Sequence, residues 1–125
     1  MENDNRAEIS RTFVSLPSFS SKWKSLGLTD EDLRKLELEL LRNPKLGPVM
    51  RGTGGVRKMR YAFENRGKSG SARVIYVDFE VYEQIFFIDI FAKSTKENLS
   101  PAERNDIKQI IELIELELEK RARMR

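Results

Sequence analysis

The chain has 125 residues, of which 34% are charged and 39% hydrophobic, and its formal net charge is +3 at pH 7. It contains no cysteine and no histidine, which excludes disulfides, thiolate or imidazole metal sites and histidine-based acid–base catalysis. No apolar run approaches the ~20 residues of a membrane-spanning helix, so a cytoplasmic protein is predicted. Residues 1–10 are polar and mixed in charge and are expected to be flexible, which leaves a single domain over residues 11–125.

The N-terminal half predicts a short strand followed by two helices. An apolar alternation at 13–16 indicates the strand, and Pro17 to Leu26 predicts the first helix. A second helix is expected to begin after Thr29, an N-cap candidate, because leucines follow it at helical spacing. Asn43-Pro44 ends that helix.

The C-terminal half predicts three strands and one long helix. Val56–Phe63, Ala72–Phe79 and Glu83–Ala92 are rich in β-branched and aromatic residues and form an antiparallel meander. Ser100 and Glu103 have the spacing of a capping box at the start of the last helix. The order β-α-α-β-β-β-α predicts an α+β fold, in which helices pack on one face of a small twisted antiparallel sheet.

Positive charge is concentrated between Arg51 and Arg73. This segment holds seven basic residues and one acid, Glu64, so its net charge is +6 and the rest of the chain carries −3. It also contains two glycine-rich turns, at 52–55 and 67–70. A cationic segment on a slightly acidic body predicts a polyanionic partner such as nucleic-acid phosphate.

Strand alternation places Lys58 and Arg60 on one face of the first of these three strands and Arg57 on the other. Residues at i and i+2 lie about 6–7 Å apart, roughly the spacing of phosphates. In an antiparallel hairpin, Arg73 returns beside Lys58 and Arg60. Because like charges side by side destabilise a sheet, such a cluster indicates a function.

Several segments of the chain resemble the RelE/HigB family of toxins, and most closely the HigB-type branch. They occur in the same order and spacing as in that family, over roughly residues 12–119. The segments are Asn43-Pro44-Lys45-Leu46-Gly47, the runs 52–60 and 67–76, Phe91-Ala92-Lys93 and the run 96–103. The resemblance implies a RelE-like fold, in agreement with the order of elements predicted above.

The resemblance also implies an activity. Such toxins are ribosome-dependent endoribonucleases that cleave mRNA in the ribosomal A site, by attack of a ribose 2′-OH on the adjacent phosphate, without metal or cofactor. By position, Lys58 and Arg60 would bind phosphate, with one of them a candidate base, and Arg73 would stabilise the phosphorane. The residues implied as catalytic are Lys58, Arg60, Arg73 and Lys93. Those expected to contact RNA are Arg57, Lys68, Tyr76 and Lys96, and Tyr76 is also a candidate proton donor if it faces the site.

The implied partner is an antitoxin with a helix-turn-helix segment, in a hetero-oligomer with this chain. Two differences from RelE keep other functions open. Ser94 stands where RelE has an arginine, and the segment 97–101 has no tyrosine. The alternatives are a non-catalytic RNA- or DNA-binding regulatory module of the same fold and, more distantly, a domain that binds an acidic protein.

Overall fold

The computed structural model describes residues 9–62, 71–93, 96 and 98–124, which form a four-stranded sheet and three α-helices. In chain order the elements are β1 (Thr12–Ser15), α1 (Pro17–Ser25), α2 (Asp30–Arg42), β2 (Arg57–Ala62), β3 (Ser71–Phe79), β4 (Gln84–Ala92) and α3 (Pro101–Arg123). A single 3-10 turn, Glu80–Tyr82, joins β3 to β4. The predicted order and the α+β class are confirmed. Phe63, the predicted end of β2, lies outside the described residues.

The sheet has the strand order β1-β4-β3-β2. β2, β3 and β4 form the predicted antiparallel meander, but β1 pairs with β4 in parallel. The sheet is therefore mixed rather than wholly antiparallel. No tight hairpin links β1 to its neighbour, because α1 and α2 follow it directly, so the parallel orientation is accessible.

Helices cover both faces of the sheet, whereas the sequence predicted one. On one face, α1 and α2 contribute Phe19, Trp23, Leu36 and Leu40 to a core with Val74, Tyr76 and Phe87. On the other, α3 contributes Ile107, Ile111 and Leu118 to a core with Ile75, Val77 and Phe91. The physical reason is that β3 is buried continuously from Val74 to Val77, a pattern typical of a strand covered on both sides.

The predicted N-cap at Thr29 and the predicted capping box at Ser100 are both present, and Thr29 also forms a capping box with Asp32. Thr29 Oγ1 accepts a hydrogen bond from Asp32 N (3.1 Å), and the Asp32 carboxylate accepts one from Thr29 N (2.8 Å). At the start of α3, Ser100 Oγ accepts from Glu103 N (3.1 Å), and Glu103 accepts from Ser100 N (2.8 Å). Within the described ranges, no helix has the length and apolar character needed to cross a membrane.

Candidate nucleic-acid interface

The first glycine-rich turn fixes the start of β2. Gly52, Gly54 and Gly55 have φ values of 77°, 82° and 105°, a region that favours glycine. Between them, Thr53 is fully buried, and its Oγ1 donates to Met50 O (2.6 Å) and accepts from Val56 N (3.1 Å). The turn is thus a structural element that aligns the cationic strand.

The pairing of β2 with β3 brings the central cations together. Arg60 is the direct register partner of Arg73, and Lys58 pairs with Ile75 two positions along. Residues two apart on a strand share a face, and opposed residues have Cβ atoms about 4.5–5.5 Å apart. Lys58, Arg60 and Arg73 therefore share one face of the sheet. We call these three residues the cationic patch.

The patch continues across β4. Arg73 pairs with Phe91, and the Lys96 ammonium lies 5.0 Å from the centre of the Phe91 ring. Lys96 also forms an ion pair with Glu103 (2.6 Å). The hydrogen bond from Lys96, followed by the one from the Ser100 N–H, lowers the pKa of the Glu103 carboxyl. The Glu103 carboxylate at the start of α3 thus holds the Lys96 ammonium.

Asn98 is a neighbour of the patch that the sequence analysis did not single out. The Lys58 ammonium donates a hydrogen bond to Asn98 Oδ1. Asn98 lies between β4 and α3, 40 residues from Lys58 in the chain. The path of the chain between β4 and α3 brings Asn98 to Lys58, and no local sequence pattern marks this contact.

Lys93 directly follows β4. Its N–H donates to Ser71 O (3.3 Å), one step beyond the last β3–β4 register pair, so its backbone lies at the end of the sheet near Arg73. Lys68 lies outside the described residues.

Tyr76 does not belong to the patch, contrary to the sequence-based prediction. It is fully buried on the opposite face, because an odd separation of three residues from Arg73 reverses the direction of its side chain. Its hydroxyl donates to Pro44 O (2.8 Å) and accepts from Gly47 N (3.1 Å). Burial raises the pKa of the Tyr76 phenol, so the side chain stays protonated and ties the 44–47 loop to β3.

Arg57 lies on the face where strand alternation predicted it, and its expected contact with RNA stays a prediction. It pairs with Tyr76 and so lies on the face opposite the patch. Its guanidinium donates to Gly47 O (2.7 Å) and lies 3.4 Å from Lys45 O. Arg57 thus binds backbone carbonyls of the loop beside β2.

The chemistry of the patch is that of an anion site. Guanidinium and ammonium groups bind phosphate oxygens and stabilise added negative charge on them. In the part of the chain that the structure describes, no group of three or more carboxylates is placed to hold a metal ion. The positioned groups are thus cations and amides.

Known proteins resemble both the sequence and the fold. A family model described as the RelE toxin of the RelE/RelB toxin–antitoxin system matches residues 18–123. Among solved structures, an arginine-to-alanine double mutant of the E. coli toxin RelE in the free state aligns with a TM-score of 0.51 and 18% identity. That alignment covers 70% of this chain and 87% of the other. At this identity the structural likeness is one of fold.

Proposed function

The chain belongs to the RelE toxin family, and from this premise we propose that it is the toxin of a type II toxin–antitoxin pair and a ribosome-dependent mRNA endoribonuclease. The observation that carries the proposal is the register pairing of Arg60 with Arg73, with Lys58 on the same face. The HigB-type branch stays a prediction from the sequence.

The proposed reaction is a transesterification within the RNA. The 2′-oxygen loses its proton to a base and bonds to the adjacent phosphorus, while the P–O5′ bond breaks and the 5′-oxygen takes up a proton. The products are a 2′,3′-cyclic phosphate and a 5′-hydroxyl end. Negative charge grows on the non-bridging oxygens along this path, and stabilising it is the task of a positioned cation.

The residues of the patch have distinct proposed roles. Lys58 and Arg60 bind the scissile phosphate, and Arg73 holds the phosphorane oxygens through its planar, bidentate guanidinium. Lys96 binds a neighbouring phosphate, which then competes with Glu103 for the ammonium. Lys93 is proposed to be catalytic and Lys68 to contact RNA, both from the family resemblance alone.

Partners follow from the same premise. We propose that mRNA is bound in the ribosomal A site and that ribosomal phosphates supply further contacts. The family description names a toxin–antitoxin system, which supports a neutralising antitoxin, proposed to carry a helix-turn-helix segment. The reaction is proposed to need no metal ion.

One observation favours a second candidate, a non-catalytic RNA-binding module. The structure removes Tyr76 from the patch, and the segment 97–101 has no tyrosine. A phenolic proton donor at the cations is thereby lost, while phosphate binding is unaffected.

Induced expression in bacteria separates the two functions. The wild type is compared with a Lys58→Ala/Arg73→Ala variant, and Lys24→Ala/Arg34→Ala serves as the matched control. Lys24 and Arg34 are exposed and lie on α1 and α2, across the sheet from the patch. Growth and the 5′ ends of mRNA are measured after induction.

The endoribonuclease predicts growth arrest with new, codon-phased mRNA ends in the wild type and the control, and neither in the patch variant. Arrest without new ends supports the binding module. Cutting that persists in the patch variant contradicts the site assignment, and a wild type that neither arrests growth nor cuts contradicts the toxin.

A further inference from the structure

α3 has a second apolar stripe, on its outward side. Ile110, Leu113 and Leu116 recur every three residues and are 37%, 68% and 61% exposed. The helix already covers the sheet with Ile107, Ile111 and Leu118. The outward side of a helix on a single domain is usually polar, so this stripe calls for an explanation.

An open groove adjoins the stripe. It has a volume of about 500 Å³ and lies between α3 and the 3-10 turn, lined by Tyr82, Leu116 and the carboxylates of Glu112, Glu115 and Glu119. Val81, beside Tyr82, is 87% exposed. A groove with a leucine on one side, a tyrosine on the other and an acidic rim forms a surface suited to an amphipathic partner.

The charge on this surface is negative, and about half of it is compensated by ion pairs. Residues 109–119 include four glutamates and no lysine or arginine. Glu117 pairs with Arg121 (2.9 Å) and Glu119 with Arg123 (3.9 Å). Glu112 and Glu115 form no ion pair with any residue that the structure describes. Phosphate repulsion therefore excludes a nucleic acid as the occupant.

A second copy of the chain is also a poor occupant. A symmetric pair would set the same patch against itself. Two helices packed through Leu113 and Leu116 would bring the acidic stretch 109–119 of one against that of the other. Like charges across an interface oppose association, so the glutamates favour a partner of opposite charge.

We propose that the outward side of α3 docks a cationic amphipathic helix of a partner protein. Its apolar side packs on Leu113 and Leu116, and its lysines or arginines pair with Glu112 and Glu115. Under the proposed function, the neutralising antitoxin is a protein that would carry this helix. Only the identification of the partner as the antitoxin rests on the proposed function. The chemistry of the surface itself is independent of RNA cleavage.

The surface begins beyond the catalytic region. Ile110 is seven residues after Glu103, about 10 Å further along the helix axis. A helix bound there leaves the cationic patch chemically intact. Docking and cleavage are therefore separable by mutation.

The test uses the purified full chain and a synthetic probe. The probe is a peptide of about 20 residues, long enough to form a helix, made of leucine and lysine in an amphipathic order, and a scrambled peptide of the same composition is its control. Binding is measured by calorimetry. The protein variants are Glu112→Gln/Glu115→Gln and Leu113→Ser/Leu116→Ser, and Glu31→Gln/Glu39→Gln on α2 is the matched charge control.

We expect the wild type to bind the amphipathic peptide and each α3 variant to bind it at least about tenfold more weakly. The α2 control should stay within about twofold of the wild type. Equal binding of the scrambled peptide, or an equal loss in the α2 control, overturns the proposal. So does a wild-type dimer in sedimentation that Leu113→Ser/Leu116→Ser converts to monomer, which would assign the face to a second copy.

The proposed function and this inference fail in distinguishable ways. Peptide binding by Lys58→Ala/Arg73→Ala at wild-type affinity, together with lost cutting, supports both. A wild type that binds the peptide but never cuts RNA removes the endoribonuclease and leaves the docking surface.

Discussion

Arg60 and Arg73 face each other as direct partners across β2 and β3. Like charges in this position destabilise a sheet by up to about 1 kcal/mol. This adjacency of like charges supports the proposal that an anion binds between the two arginines.

Arg60→Gln separates stability from binding. Arg60 is exposed, and its removal relieves repulsion from Arg73. We expect the free energy of unfolding to stay the same or to rise by up to about 0.5 kcal/mol, while RNA affinity falls. Urea unfolding at low and high salt measures the free energy of unfolding. The difference in this free energy between the variant and the wild type should be smaller at high salt, where the repulsion is screened. A loss of stability above about 1 kcal/mol would show that Arg60 has a structural role.

Arg73→Lys tests the geometry of the charge. Lysine keeps the positive charge but loses the planar pair of donors. We expect the cleavage rate to fall by about 10²-fold, and by about 10³-fold in Arg73→Ala. Arg34→Lys on α2 is the control. If Arg73→Lys cleaved RNA at the wild-type rate, Arg73 would act only through its positive charge and not through its planar pair of donors.

Tyr76→Phe tests the corrected role of this tyrosine. The variant leaves Pro44 O and Gly47 N without their buried partner, so we expect a loss of about 1–3 kcal/mol in the free energy of unfolding. The cleavage rate per folded molecule should not change. Tyr82→Phe, at a half-buried tyrosine that packs against the core on the α3 side, is the control for stability. A selective loss of cleavage with unchanged stability would return Tyr76 to the catalytic site.

Gly47→Ala tests the close approach of the loop to β2. A Cβ atom at Gly47 would lie 2.6 Å from Lys58 O, which is backbone and cannot move aside cheaply. We expect a loss of about 1–3 kcal/mol in the free energy of unfolding and weaker RNA binding, because the strand that carries Lys58 must shift. Leu46→Ala, at an exposed neighbouring position, should have a smaller effect. Thermal unfolding and amide exchange of β2 are the measurements.

Glu103→Gln tests the ion pair beside the patch. Because the folded state lowers the pKa of Glu103, its charge stabilises the protein above the unfolded pKa of about 4.3. That stabilisation is lost as the pH falls through the lower, folded value. Glutamine keeps the capping hydrogen bond, so the wild type should exceed the variant in stability at neutral pH and approach it in acid.

Unfolding midpoints between about pH 7 and pH 3 measure this effect of Glu103. When the comparison is repeated in a Lys96→Gln background, the effect of Glu103→Gln on stability should depend much less on pH. The hydrogen bond from Lys96, the largest cause of the lowered pKa of Glu103, is then absent. A difference that grows toward acid pH would contradict the ion-pair explanation.

The sequence predicted the structure well wherever strand alternation, helical periodicity or a helix cap determined it. Both capping boxes formed, and the hairpin returned Arg73 beside Arg60 because an antiparallel pair fixes its register. The same alternation already placed Tyr76 opposite Arg73, so that signal was present and was not used. The contacts of Asn98 and Lys96 with Lys58 and Phe91 depend on the path of the chain between β4 and α3, which no local pattern encodes.

The architecture of the sheet was harder to predict. β1 is a four-residue strand without a hairpin, so only packing decides its parallel orientation. Burial of β3 on both faces was visible as the run Val74–Val77, yet the order of the elements led to a prediction of helices on one face only. The placement of α3 opposite α1 and α2 follows from that burial and from the length of the last connection.

The opposed arginines also bear on how cells escape this protein. Under the proposed function, one substitution at Arg60 or Arg73 is enough for a bacterium to survive induction, and the variant chain should still fold and accumulate. Survivors should therefore accumulate soluble inactive alleles at these two codons more often than truncations, and such alleles should still engage a partner through α3.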